Sequence, residues 1–285
     1  MIGNGLVTGV IGRAVRRWVY AGIDLLLPPQ CLLCGNDSPV EDNACSLCVG
    51  CREALDDRNW RACPRCGAGL VGRTRGLPAS GDAAMPSSEG IERSFAGGGG
   101  YHPKACQRCR DRKLHFEGAV SLGPYCDRRR EAVLRMKRPS GEPLAGALGA
   151  VLADRFAGEL RSFAAHCVVP VPMYWARRAM RGTNSPHAVA RAVARRLGLP
   201  IMGVLCRRRN TRPQPGLTPR QRFANVRGAF SIRAGYDLGG RRAILVDDIL
   251  TTGATSSEAA RTLRKAGAGA VLAVVVARAE GAGAG

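Results

Sequence analysis

The sequence predicts an α/β fold, a parallel sheet with flanking helices, preceded by a small cysteine-rich domain. Three observations lead there. Four Cys-x2-Cys pairs crowd into the first 109 of 285 residues. Short apolar runs alternate with helical patterns through the second half. One of those runs ends in two adjacent acids and a small, hydroxyl-bearing loop.

The cysteines come first in the chain. The pairs are Cys31/Cys34, Cys48/Cys51, Cys63/Cys66 and Cys106/Cys109. A Cys-x2-Cys turn delivers two thiolates to one side of a metal, and two turns complete a tetrahedral zinc site. Taken consecutively the four pairs give a double zinc ribbon with two structural Zn2+ sites. In Cys45-Ser-Leu-Cys48-Val-Gly-Cys51 either Cys45 or Cys51 joins Cys48. Cys51 is preferred, because Cys51-Arg-Glu-Ala-Leu55 opens an amphipathic turn. Redox Cys-x2-Cys motifs come singly beside a βαβ pattern, which is absent at this end of the chain.

Residues 1–27 read as a poor amphipathic segment, and 28–115 as the ribbon domain. A Gly/Ser/Pro-rich insert at 68–100 reads as a flexible loop within that domain. Residues 116–279 form the α/β domain, and 280–285 a disordered tail. The longest uncharged run, 162–176, is too short for a membrane helix. Arg13, Arg16 and Arg17 follow the N-terminal apolar residues rather than precede them, which argues against a signal peptide. A cytoplasmic protein is expected.

Net charge is +21, and residues 171–230 hold thirteen Arg and no acid. That field attracts polyanions, either nucleic acid or phosphorylated small molecules. Only four of the 43 cations are Lys, so a general preference for Arg contributes as well. The chain has no Gly-Lys pair and hence no P-loop, which disfavours a motor ATPase.

In the α/β half, Glu142 to Leu160 is expected to be one helix. Cys167–Val171 is a strand ending at Pro172. A helix then runs from Ser185 as N-cap, with Pro186 at its first position, to Leu197 and Gly198. Ile201–Cys206, Ala243–Val246 and Val271–Ala277 are further strands, and Ala254–Ala266 is a helix stopped by Gly267. Ligands of such sheets bind at the carboxyl ends of the strands. There the third strand meets Asp247 and Asp248, and the loop Thr251–Thr255 opens the following helix. Backbone N–H groups, three Thr hydroxyls and a helix dipole suit a phosphate monoester. The paired carboxylates suit ribose hydroxyls and, indirectly, magnesium.

Val246-Asp-Asp-Ile-Leu-Thr-Thr-Gly-Ala-Thr255 resembles the 5-phosphoribosyl-1-diphosphate (PRPP) motif of type I phosphoribosyltransferases. With the upstream cysteines, residues 25–279 resemble the ComF family, which joins a double zinc ribbon to a phosphoribosyltransferase-like domain. Val169-Pro-Val-Pro172, Arg181-Gly-x-Asn184 and the stretch from Arg212-x-Gln214 to Phe230 match as well. The chain departs from the pattern at Gly182-Thr-Asn-Ser185, where the family commonly reads Gly-Phe-Asn-Gln.

The resemblance implies a type I phosphoribosyltransferase-like sheet and the following roles. Thr251, Thr252, Gly253, Ala254 and Thr255 hold the 5-phosphate, and Asp247 and Asp248 the ribose hydroxyls. Arg177, Arg178 and Arg181 face the diphosphate, while Arg212, Gln214 and Arg222 lie in a mobile catalytic loop. The implied function is magnesium-assisted PRPP binding, with transfer to an acceptor that the sequence does not name. The alternative is a non-enzymatic DNA-uptake accessory that grips single-stranded DNA or a motor partner. Aromatic residues are sparse in 171–230, where only Tyr174, Trp175, Phe223 and Phe230 occur, so that reading lacks an evident stacking platform.

Overall fold

Two nine-residue strands form the middle of the sheet, and their composition explains why. β5 (Arg242–Leu250) and β6 (Ala270–Arg278) pair in parallel along nearly their whole length, and every residue of β6 is buried. Small β-branched and aliphatic side chains let helices cover both faces. β1 (Gly118–Ser121) flanks β6 and β2 (Cys167–Pro170) flanks β5, giving the all-parallel order β1-β6-β5-β2. The computed structural model describes residues 30–37, 46–70, 106–214 and 216–279. The expectations for 1–27, for Cys45, for 71–100 and for 280–285 lie outside them.

One face of the sheet carries α2 (Asp127–Arg135), α3 (Glu142–Arg155) and α6 (Ser185–Leu197). Small residues bring the last two close. A Cβ on Gly149 of α3 would lie 2.6 Å from the Val189 carbonyl of α6. The other face carries α8 (Ala254–Lys265) and an antiparallel pair, β3 (Leu205–Arg207) with β4 (Phe230–Ile232). α1 (Val49–Leu55) belongs to the first ribbon, and α7 (Pro219–Val226) packs on α8. Among the described residues no helix is long and apolar enough to cross a membrane.

The structure corrects several sequence-based boundaries. The run Ile201–Cys206 is not a strand of the main sheet. Ile201 makes a single bridge to Val168, and Leu205–Arg207 turns away to pair with β4. Apolarity marks burial but not the partner. The helix expected over 142–160 breaks at Phe156, and α4 (Ala157–Ser162) restarts it. Asn184, not Ser185, is the N-cap of α6. The Ser185 hydroxyl instead donates to the Met136 carbonyl at 2.7 Å. Ala68–Leu70, read as the start of the insert, closes a knuckle: Cys63 N–H donates to the Ala68 carbonyl and Leu70 N–H to that of Arg61.

Candidate functional site

The strand order leaves the carboxyl ends of β2 and β5 side by side, and a cleft of about 540 Å³ opens there. β5 runs on past Val246, so Asp247 and Asp248 sit in the strand's last turn of pleat rather than in a loop. Both line the cleft, with Thr251, Gly253, Ala254 and Thr255. Gly253 has φ +82°, a conformation open to glycine at little cost, and it caps α8 in place of a side chain. The first-turn amides of α8 therefore face this end of the sheet, where the helix dipole is positive.

The two acids differ. Asp248 is held below the usual carboxylate range: burial opposes its charge, but Lys137 Nζ lies 2.7 Å from Oδ2 and outweighs it. Asp247 is pushed well above that range, first by burial and then by the charge of Asp248. Its Oδ1 accepts from the Asp248 N–H at 2.9 Å. The adjacent pair forms a polar, oxygen-only donor set suited to hydroxyls and to a hard cation held through them. Lys137 lies outside the motifs that mark the site in the sequence. Its one signal there is that it is among four lysines in a chain that otherwise uses arginine.

Gln214 bridges the loop, donating from Nε2 to the Thr255 hydroxyl at 2.9 Å and accepting from that of Thr251 at 3.4 Å. Arg212 lines the cleft, and its backbone is fixed on both sides by the Asn225 amide, at 3.1 and 3.0 Å. Arg222 lies outside the cleft lining: its Nε donates to the Leu217 carbonyl and so shapes the loop from behind. Arg177, Arg178 and Arg181 sit on α5 (Trp175–Arg181), whose end faces the cleft at Met180, and their side chains lie outside what the structure describes. Arg207 lines the cleft as well, donates to the Thr211 hydroxyl at 2.6 Å and lies over the Phe230 ring.

A second cleft of about 810 Å³ adjoins the first across Val171–Met173 and is lined by Arg191, Arg207 and Arg233. Trp175, 70% exposed, stands at its edge with Tyr174, their ring centroids 5.7 Å apart. The structure thus offers an aromatic pair among cations that residue counts had not foreseen.

The eight cysteines come together in two groups of four, Cys31/Cys34/Cys48/Cys51 and Cys63/Cys66/Cys106/Cys109. Thiolates held about 2.3 Å from a tetrahedral zinc stand about 3.8 Å apart. The sulfurs of Cys34 and Cys48 are 3.7 Å apart, those of Cys63 and Cys109 3.8 Å, and those of Cys66 and Cys106 3.6 Å. A disulfide requires about 2.05 Å, so these are metal-site separations. One cysteine of each group is shifted toward the thiolate and another away from it, Cys51 by burial and Cys109 by its contact with Cys63. Burial works against Cys31, but backbone N–H groups outweigh it and bring its pKa to about 6. Hydrogen bonds from Cys109 and Cys66 hold Cys63 far below its ordinary value. The groups fit structural zinc.

Residues 187–284 match the phosphoribosyl transferase domain family and residues 22–83 the double zinc ribbon domain family. The chain is 25% identical to competence protein F of Haemophilus influenzae over 84% of its own length and 92% of that protein's. It is 27% identical to DNA utilization protein YhgH of Salmonella typhimurium, over 79% and 93%. An 89-residue segment is 39% identical to the adenine phosphoribosyltransferase of Mycobacterium avium, covering 31% of this chain and 48% of that enzyme. The chain thus carries matches to a double zinc ribbon and, after it, to a phosphoribosyl transferase domain, and is similar over most of its length to competence protein F and to the YhgH protein.

Proposed function

We propose that the protein binds PRPP, with magnesium, in the cleft at the end of β5. The observation that carries this reading is the continuity of Asp247, Asp248 and Thr251 with Gly253, Ala254 and Thr255 at the first turn of α8, all lining one cleft, while the Thr252 hydroxyl accepts from the Ala254 N–H. Amides and hydroxyls of Thr251–Thr255 take the 5-phosphate. Asp247 and Asp248 take the ribose hydroxyls. Arg207 and Arg212, with the α5 arginines, neutralise the diphosphate. When bound, magnesium adds charge neutralisation at the departing diphosphate. The reaction such a site offers is breakage of the anomeric carbon–diphosphate bond and capture of that carbon by an acceptor. Arginines aimed at the leaving charge lower its barrier, and the Gln214 segment, by covering the loop, excludes water.

An Asp247→Asn/Asp248→Asn variant tests this. It should melt cooperatively and lose PRPP affinity by about 30-fold or more, as expected when two charge-assisted contacts are removed. Unchanged affinity would place the ligand elsewhere. A screen of nucleobases and amines for diphosphate release then tests transfer.

A second reading is favoured by Trp175 and by the names of the relatives: service to DNA uptake by gripping single-stranded DNA. Binding should then weaken steeply with salt and fall several-fold in Trp175→Ala, since base stacking is worth about 1–3 kcal/mol. Salt-insensitive binding, or none at low salt, removes this reading.

A further inference from the structure

Arg278, the last residue of β6, is buried, and its guanidinium is spent on main-chain carbonyls from two distant parts of the molecule. Nε donates to the Cys66 carbonyl at 3.0 Å. Nη1 donates to the Leu250 carbonyl at 2.9 Å and also reaches the carbonyls of Thr251 and Ala279. Cys66 is a member of the second cysteine group. Leu250 and Thr251 are the first step of the loop that leaves β5. One side chain therefore ties the metal knuckle to the root of the phosphate loop. A buried cation is tolerated only when its donors are satisfied, and the planar fork of Arg reaches diverging acceptors that a Lys ammonium cannot span.

The direction of the tie has a consequence for the loop. In a trans peptide the C=O and the next N–H point opposite ways. Turning the Leu250 and Thr251 carbonyls back onto Arg278 turns the N–H groups of Thr251 and Thr252 away from it. A second strut meets the loop's far end. The segment just after Cys109 brackets Ser257: the His115 N–H donates to the Ser257 hydroxyl at 3.2 Å, and that hydroxyl donates to the Lys113 carbonyl at 3.5 Å. Ser257 N–H in turn closes on the Gly253 carbonyl at 2.8 Å. Leu114 and Phe116 lie 3.5 Å from where a Cβ of Gly253 would stand. Both halves of the second metal site thus press on the two ends of residues 251–255.

We propose that Arg278 is a positioning residue through which phosphate binding at loop 251–255 depends on the metal held by Cys63, Cys66, Cys106 and Cys109. The inference rests on the reading of that loop as a phosphate site. Its test uses the full chain with Arg278→Gln, Arg278→Lys and Cys106→Ser, each checked for zinc content and cooperative melting. PRPP affinity is measured by titration, and exchange of the 251–257 amides by hydrogen exchange without ligand. Expected is an Arg278→Gln variant that keeps its zinc, binds PRPP about tenfold or more weakly, and exchanges its loop amides faster. Arg278→Lys should recover only part of both, and Cys106→Ser should speed the same amides. Wild-type affinity together with unchanged exchange in Arg278→Gln overturns the proposal. If wild-type protein fails to bind PRPP, the phosphate reading falls, and exchange alone then decides whether the strut exists. If Arg278→Gln does not fold, unchanged loop exchange in Cys106→Ser overturns it.

Discussion

The two zinc ribbons use the same ligand chemistry and sit in different mechanical surroundings. In the first, Cys31, Leu33, Leu47, Cys51 and Leu55 are part of one apolar core with α2 and α3. Arg129 donates to the Ala54 and Leu55 carbonyls, Arg135 to that of Leu33, and Arg155 pairs with Asp56 at 2.7 Å. In the second, Cys63, Cys66, Ala68 and Cys109 form a small cluster of their own. Its bonds run through Arg278 and Ser257 to the loop at the end of β5. A four-cysteine knuckle can therefore serve as core in one place and as a brace for the loop at the end of β5 in another, and what it touches decides which.

The largest effect should come from breaking both. Chelation is expected to release about two zinc ions per chain, one per cysteine group, and to unfold the ribbon portion, because structural zinc contributes its binding energy to folding. Protein purified without chelator that holds no zinc by metal analysis would remove the comparison altogether. Single-ligand variants then separate the ribbons. Cys34→Ser should lower the melting temperature and leave PRPP affinity of the folded molecules within about twofold. Cys106→Ser should weaken affinity by about tenfold. Equal effects on affinity would mean that the ribbons do not differ in role.

Smaller changes sharpen the picture of the site the second ribbon braces. Lys137→Met leaves Asp248 without its 2.7 Å partner and should cost about 1–2 kcal/mol, seen as a shift in denaturant midpoint. pH separates the two acids by sign. Asp247, raised in the folded state, contributes stability that is present below the ordinary carboxylate range and lost as pH rises through its folded value. Asp248, lowered, contributes stability that is present above that range and lost as pH falls through its folded value. Asp247→Asn should therefore flatten the decline in stability that sets in as pH rises above the ordinary carboxylate range, read as melting temperature against pH. A decline as steep as in wild type would contradict the assignment. Gln214→Ala, at the mild end, should change PRPP affinity only a few-fold, because it removes neutral hydrogen bonds at a partly exposed loop.

How much of this the sequence disclosed depends on the range of the interactions involved. The motif from Val246 to Thr255 is legible because strand, loop and helix are consecutive and each residue's role is local. The cysteine groups are legible because two-residue spacing is itself a ligand geometry, and among the described residues Cys51 stands with Cys31, Cys34 and Cys48. The run Ile201–Cys206 misled because an apolar pattern records burial without naming a partner, and its pairing with Phe230–Ile232 is set across the intervening loop. β1, four residues long, carries too little pattern to stand out. Lys137, Arg207 and Arg278 are silent in the sequence for a different reason: in so arginine-rich a chain a single cation has no signature until the fold brings it to Asp248, Thr211 or Cys66.

The most direct measurement is calorimetric titration of the zinc-replete protein with PRPP at physiological salt, with and without magnesium. Saturable binding that strengthens with magnesium and disappears in Asp247→Asn/Asp248→Asn is the expected result. Absence of binding by the folded, zinc-loaded protein would contradict the phosphate-site reading and leave single-stranded DNA as the ligand to pursue.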